Sequence, residues 1–164
     1  MSKAKDFSVI SRYLNNIKSI KLRKKEFRKE IKKHFQYMTQ KEILRFMNLQ
    51  KKFRKKQPMV DSHAKRRMRE RYIPIRDVMV AIKYGGIVEY SCILDKNNFI
   101  IDERIMFRSL RPRQYQVVVM YSLRSNSIIT VYKKSVEAVP ERHKLDIYDK
   151  NFDILKVKYK KRLT

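Results

Sequence analysis

Residues 115–132 read YQVVVMYSLRSNSIITVY. Val117, Val118 and Val119 are β-branched, stiff at their first side-chain torsion and suited to a pleated surface. They predict a strand over Tyr115–Tyr121. Ile128–Tyr132 predicts a second strand, with the turn at Arg124-Ser125-Asn126 between the two. Moving back along the chain, Phe99-Ile100-Ile101 and Ile105-Met106-Phe107 predict another strand or two, and Ile87-Val88-Glu89-Tyr90 one more. Before them the apolar period lengthens. Val78, Met79 and Ile82 follow helical spacing between Pro74, suited to a first turn, and Gly85-Gly86, suited to a stop. Val60 to Tyr72 predicts a shorter basic helix capped by Asp61 or Ser62, with Val60, Ala64, Met68 and Tyr72 facing the core. Two short helices followed by an antiparallel sheet of about four strands predict an α+β fold over residues 59–133.

On either side lie residues of another character. Phe7, Ile10, Tyr13, Leu14 and Ile17, then Leu22, Phe27, Ile31 and Phe35, recur at helical spacing among lysines and arginines. Thr39 with Glu42 forms a capping box and Met38 with Ile43 a hydrophobic staple. The helix they start places Ile43, Phe46, Met47 and Phe53 on one side, and Pro58 ends it. Residues 1–58 therefore predict a basic helical extension whose apolar seam faces inward and whose cations face solvent. Residues 134–164 predict a basic C-terminal extension, with a turn at Asp149-Lys150-Asn151 and a late strand over Phe152, Ile154, Leu155, Val157 and Tyr159.

The charge bounds the function. The chain holds 42 Lys+Arg against 16 Asp+Glu, a formal net charge of +26 over 164 residues. Residues 1–58 carry 19 basic and 4 acidic side chains, residues 59–133 carry 14 and 7, and residues 134–164 carry 9 and 5. Such an excess repels itself and calls for a polyanionic partner. Nucleic acid answers best, because bound cations release the counterions condensed on phosphates. No run of about 18 apolar residues exists to span a bilayer. The N-terminus lacks the apolar core of a secretory signal. Cys92 is the only cysteine, which excludes an intramolecular disulfide and fits a reducing, cytoplasmic setting. His34, His63 and His143 are scattered and make no metal-ligand spacing, and two adjacent glycines make no phosphate-cradling loop. No cofactor or metal is expected.

The stretch Asp61-Ser62-His63-Ala64-Lys65-Arg66-Arg67-Met68-Arg69-Glu70-Arg71 carries the candidate chemistry. On a helix His63, Arg67 and Arg71 line one stripe beside the buried face, while Arg66 and Arg69 point outward. Metal-free RNA cleavage needs a base for the 2′-hydroxyl, cations for the phosphorane and an acid for the leaving oxygen. His63 has a suitable reference pKa. Arg67 and Arg71 offer bidentate phosphate contacts. Thr130 and Tyr132 alternate on the last strand and add hydroxyls. Arg108, Arg111 and Arg113, around Pro112, are placed to hold an RNA backbone, as are Lys24, Lys25, Arg28, Lys32, Lys51, Lys52, Arg54 and Lys55 in the extension. Tyr13, Tyr37, Tyr84 and Tyr115 are candidate stacking platforms. Cys92 reads as a small buried hydrophobe.

The run Ser62-His63-Ala64, Arg67-Met68 and Arg71, followed by Ile73 and later by the strand Ile128-Ile129-Thr130-Val131-Tyr132, resembles a small bacterial and phage domain of unknown function. That domain opens on S-H-A-x-x-R-M-x-x-R-G-I and closes on a strand like I-V-T-V-Y. Through it the chain resembles the barnase/RelE-like endoribonuclease toxins. The resemblance implies paired helices on a curved sheet, and a site at His63, Arg67 and Arg71 with Thr130 and Tyr132. Here Tyr72 stands where the domain has glycine, and Pro74 replaces its helix-capping Ser or Asp.

Three functions stay open on these grounds. One is a metal-independent endoribonuclease, toxin-like or an RNA-processing enzyme of a phage, acting in the cytoplasm of a bacterial or phage-infected cell. Another is a non-catalytic protein that binds RNA, the ribosome, another ribonucleoprotein or a polymerase complex. The third is a phage structural protein contacting the genome. RNA is favoured over DNA as partner, and an antitoxin-like protein partner fits the first function.

Overall fold

A computed structural model describes residues 29–110, 115–135 and 147–157. The chain begins with strand β1 (Lys29–His34) and a 3-10 turn (Phe35–Tyr37). Helix α1 (Gln40–Lys55), strand β2 (Met59–Val60), helix α2 (Ser62–Glu70) and helix α3 (Ile75–Tyr84) follow. Strands β3 (Gly86–Leu94), β4 (Ile100–Arg108), β5 (Tyr115–Ser122) and β6 (Ser127–Ser135) form the rest, with a 3-10 turn at Ile154–Lys156. The sheet runs β1-β3-β4-β5-β6-β2 and curls into a half-barrel. All pairings are antiparallel except β2 with β6, which is parallel.

The α+β class and the hairpin of β5 and β6 agree with the expectation, but the sheet has six strands rather than about four and is mixed. Both helices expected over 59–133 are present, and α1, expected in the extension, packs on the same core, which makes three helices among the described residues. Residues 29–34, expected as part of a helical extension, are strand instead. Phe27, Ile31 and Phe35 do match a helical count, but residues 29–34 pair in register with β3, from Lys29 opposite Leu94 to His34 opposite Glu89. The unpaired edge of β3 decides what a short amphipathic run leaves open. Val60 belongs to β2, so α2 starts later than expected. Where a late strand was expected, the described residues show a single bridge from Tyr148 to Lys32 and a 3-10 turn. The expected helices over 1–28 lie outside the described residues.

Local signals place the helices well. Thr39 and Glu42 complete the capping box of α1, with the Thr39 N–H donating to the Glu42 carboxylate and the Glu42 N–H to the Thr39 hydroxyl. Asp61 caps α2 by accepting from the Ala64 N–H at 2.7 Å. Helix α3 starts after Pro74 and ends at Gly85. A Cβ on Gly85 would lie 2.2 Å from the Ala81 carbonyl oxygen and 2.5 Å from that of Arg108, so only glycine lets α3 turn into β3 there. The Gln50 side chain of α1 donates to the Gly85 and Ile82 carbonyls and satisfies the end of α3.

One core lies between the helices and one face of the sheet. Phe46 and Phe53 of α1, Ala64 and Met68 of α2, and Val78, Met79 and Ile82 of α3 meet Tyr90, Ile105, Phe107, Val119, Tyr121, Ile128 and Val131. Cys92 is buried in it as expected. Met47, expected in the seam with Phe46 and Phe53, is exposed, because α1 presents Gln50 inward instead. The core also holds ions. Lys33 and Glu42 form a buried pair at 2.7 Å. Lys33 donates further to the Phe152 carbonyl, and the Ile154 N–H donates to Glu42. The residues 147–157 are thereby tied to β1 and α1.

Candidate nucleic-acid interface

Helix α2 lies along β6 with its His/Arg stripe at the border of the core. His63 is exposed, and the Arg66 guanidinium approaches its Nδ1 at 3.4 Å. Arg67 is half-buried and pairs with Glu70 at 3.3 Å, while Arg66 reaches the same carboxylate at 3.6 Å. Arg71 ends the helix rather than continuing the stripe. Its guanidinium donates to the Val131 carbonyl at 2.9 Å. That bond covers part of the edge of β6 beyond the two-residue β2, a position that would otherwise offer a template to a foreign strand. Arg69 stays exposed beside Arg66.

Tyr72 does not face the core as expected. It is 85 % exposed, with φ at 53° in the left-handed region. The Ile73 N–H reaches back to the Met68 carbonyl at 2.9 Å, and both side chains are buried. This is the six-to-one bond of a Schellman ending, in which the residue at Tyr72 is usually glycine. The glycine of the motif R-x-x-R-G is thus a backbone requirement, and the tyrosine here meets it at a steric cost.

The other half of the expected site stands on the opposite side of the sheet. Val131 packs against the helices, so Thr130 and Tyr132 project from the open face. Thr130 lies opposite Met120, and Tyr132 opposite Val118. Tyr132 donates to the Met106 sulfur at 3.7 Å. The structure therefore does not gather His63 and Tyr132 around one space.

A cleft of about 220 Å³ opens instead on that face. Lys32, Glu89, Met106, Arg108, Tyr132 and Lys134 line it, with Val88, Val118, Ile147 and Tyr148. A shift in register between Ile87 and Glu89 bulges β3, so Val88 and Glu89 both turn into the cleft. Glu89 is 6 % exposed, accepts from Lys32 at 3.4 Å and from the Tyr148 hydroxyl, and is thereby held in one position. Arg108 ends β4 at the rim with its side chain exposed. Sequence reasoning named Lys32, Arg108 and Tyr132 separately. It missed Glu89, Lys134 and Tyr148, although the alternation through Tyr132 and Lys134 was a signal for one of them.

The remaining basic candidates are dispersed. Lys51, Lys52, Arg54 and Lys55 are exposed on α1, where Arg54 sits 4.8 Å over the Tyr84 ring and donates to the Lys83 carbonyl. Lys24, Lys25, Arg28, Arg111 and Arg113 lie outside the described residues, as does Tyr13. Three expected stacking rings already carry cations, Arg54 on Tyr84, Lys133 on Tyr115 and Lys150 on Tyr37.

Two buried carboxylates on the helix side show opposite electrostatics. Burial pushes Glu42 up, but hydrogen bonds from Lys33 and from the Thr39 and Ile154 N–H groups outweigh it and hold the carboxyl below its ordinary range. Burial pushes Glu103 up, and Arg45 at 3.0 Å offsets this only in part. Burial likewise pushes the Tyr90 phenol and the Cys92 thiol up. None of these groups behaves as a poised acid or base in open solvent.

Among the described residues no helix is long and apolar enough to cross a membrane. No curated protein and no solved structure gives a significant match. Residues 60–133 match the profile of a domain of unknown function, DUF4258; the match runs from Val60 in β2 to Lys133 in β6 and leaves out β1, α1 and residues 147–157.

Proposed function

We propose that this protein binds RNA through a broad cationic surface. The observation that carries the reading is the net charge of +26, with Lys51, Lys52, Lys55, Arg66, Arg69 and Arg108 all turned to solvent. An excess of that size is neutralised best by a phosphate backbone. The test is the salt dependence of binding to a labelled RNA. Neutralising on the order of 6–10 phosphates lowers affinity by about 10³–10⁵ between 50 and 200 mM salt. A flat response overturns the reading, and stronger binding to DNA points to a protein contacting a packaged genome.

A second reading is a metal-independent endoribonuclease, toxin-like or RNA-processing, on the barnase/RelE plan. It is favoured by His63 and Arg67 sharing one accessible side of α2, with the imidazole able to serve as base or acid and the guanidinium as phosphate clamp. Arg71 then acts through the position of β6, and Thr130 and Tyr132 do not join the reacting atoms. Cleavage of labelled RNA in excess EDTA that disappears in His63→Ala supports it. Intact RNA under tight binding leaves the protein as a binder of RNA, of a ribosome-like particle or of a protein partner on the same fold.

A further inference from the structure

The open face of the sheet carries a site that the helix stripe does not. We propose that the cleft between β3 and β6 receives one nucleotide unit of single-stranded RNA, phosphate towards Arg108 and Lys134 and ribose towards Glu89. The inference rests on RNA binding as proposed above and adds where a single strand is read.

The cleft is electrically uneven along its length. Arg108, opposite Val118 and in line with Tyr132, stands with Lys134 at one end. Glu89 stands at the other, beside β1 and Tyr148. Among the described residues Lys32, Arg108, Lys134 and Glu89 are the charged lining groups, and Lys32 pairs with Glu89, so the Arg108 end of the cleft favours an anion. A simple anion would nevertheless be repelled from the Glu89 end. A ligand that answers both ends needs a phosphate and a hydroxyl donor some ångströms apart, and a ribonucleotide unit has both. A carboxylate offers about four lone-pair positions. Lys32 takes one on Oε1 and the Tyr148 hydroxyl one on Oε2, which leaves acceptor capacity for a 2′-hydroxyl. That hydroxyl is what separates RNA from DNA at such a site.

The walls suit the rest of the unit. Val88, Met106, Val118 and the Tyr132 ring give an apolar floor between the two polar ends. At about 220 Å³ the space lies below the ~300–1,000 Å³ of sites that enclose a whole small molecule, so it fits one link of a longer strand. A duplex keeps its bases stacked and paired, and cannot lower one unit into a recess on a sheet. The α1 and α2 cations have no such constraint and would hold backbone of either form.

The experiment uses the full chain with a fluorescent single-stranded oligoribonucleotide, its DNA counterpart and the RNA duplex. Arg108→Gln with Lys134→Gln removes the phosphate end. The slope of log affinity against log salt then falls by about 0.7, the share of the one phosphate contact on a single strand. Glu89→Gln removes the acceptor's charge and lowers the preference for RNA over DNA severalfold. Circular dichroism confirms that each variant is folded. A control pair, Lys51→Gln with Lys52→Gln, weakens duplex and single strand alike. Wild-type binding that persists with the same slope in Arg108→Gln/Lys134→Gln, the same RNA preference in Glu89→Gln, or equal affinity for duplex and single strand, overturns the cleft while RNA binding stands. Absence of RNA binding in the wild type overturns both.

Discussion

The two faces of the one sheet have opposite characters. The helix side is closed, and its charges are paired inside it, Lys33 with Glu42 and Arg45 with Glu103. The open side carries charges around a cleft. Charge on the first side is a condition of folding, because an uncompensated buried ion is expensive. Charge on the second lines that cleft, where Lys32 pairs with Glu89 and Arg108 is exposed. The same lysine-rich composition therefore does two jobs, and adjacent residues of β1, Lys32 and Lys33, fall on different sides of the division.

The largest expected effect lies on the closed side. Lys33→Met leaves Glu42 buried without its cation and the Phe152 carbonyl without its donor. Breaking such a pair from one side costs about 3–5 kcal/mol, read as a drop in the midpoint of urea unfolding. A loss below about 1 kcal/mol would mean that the pair is not closed off from water. The pH dependence sharpens this. Glu42 sits below its ordinary value of 4.5, so its contribution is present above that pH and is lost as pH falls through the lower folded value. Glu103 sits above 4.5, so its ionisation opposes folding and its contribution declines as pH rises from 4.5 towards the raised folded value. Glu42→Gln should therefore lose stability at neutral pH, while Glu103→Gln should keep it or gain. Equal losses would erase the distinction between them.

Backbone constraints come next. Gly85→Ala forces a methyl group against two carbonyl oxygens, and overpacking of that kind costs about 1–3 kcal/mol. Because one of those carbonyls belongs to Arg108, the variant should also loosen the rim of the cleft, seen as faster amide exchange at the end of β4. The opposite sign is expected at Tyr72. Tyr72→Gly relieves a left-handed tyrosine and should stabilise the chain by up to about 1 kcal/mol. A destabilised Tyr72→Gly would show that the ring, though exposed, contributes packing.

How far the sequence goes is visible at individual residues. Elements whose ends are written in local chemistry were legible: the Thr39–Glu42 box, the Asp61 cap, the stop at Gly85 and the hairpin around Asn126. The strand β1 was not, since six residues alternate too briefly to exclude a helix and its partner lies more than fifty residues away in β3. Tyr72 was misplaced because helical spacing was carried one residue past the point where the chain turns left-handed. In the candidate site, Arg108 and Tyr132 were recognisable as types, but their meeting with Glu89 depends on a bulge that periodicity does not encode. The stripe of His63 and Arg67 was legible from its spacing, yet spacing cannot tell which side of a sheet the helix will cover. Thr130 and Tyr132 were separated from it for that reason.

The smallest effect on stability is expected where the effect on binding is sought. Arg108 is exposed and Lys134 half-buried, on the side of the sheet away from the helices, so Arg108→Gln with Lys134→Gln should change unfolding free energy by no more than about 0.5 kcal/mol. Removing two like charges from a chain of net charge +26 could even tilt the change towards stability, because self-repulsion falls. A loss of several kcal/mol would instead make these residues part of the packed structure, and a weakened RNA affinity in the variant would then say nothing about contact. Unfolding by urea at low and high salt separates the cases. A repulsive contribution shrinks at high salt, where charges further apart than about 8–10 Å are screened. A packing contribution does not.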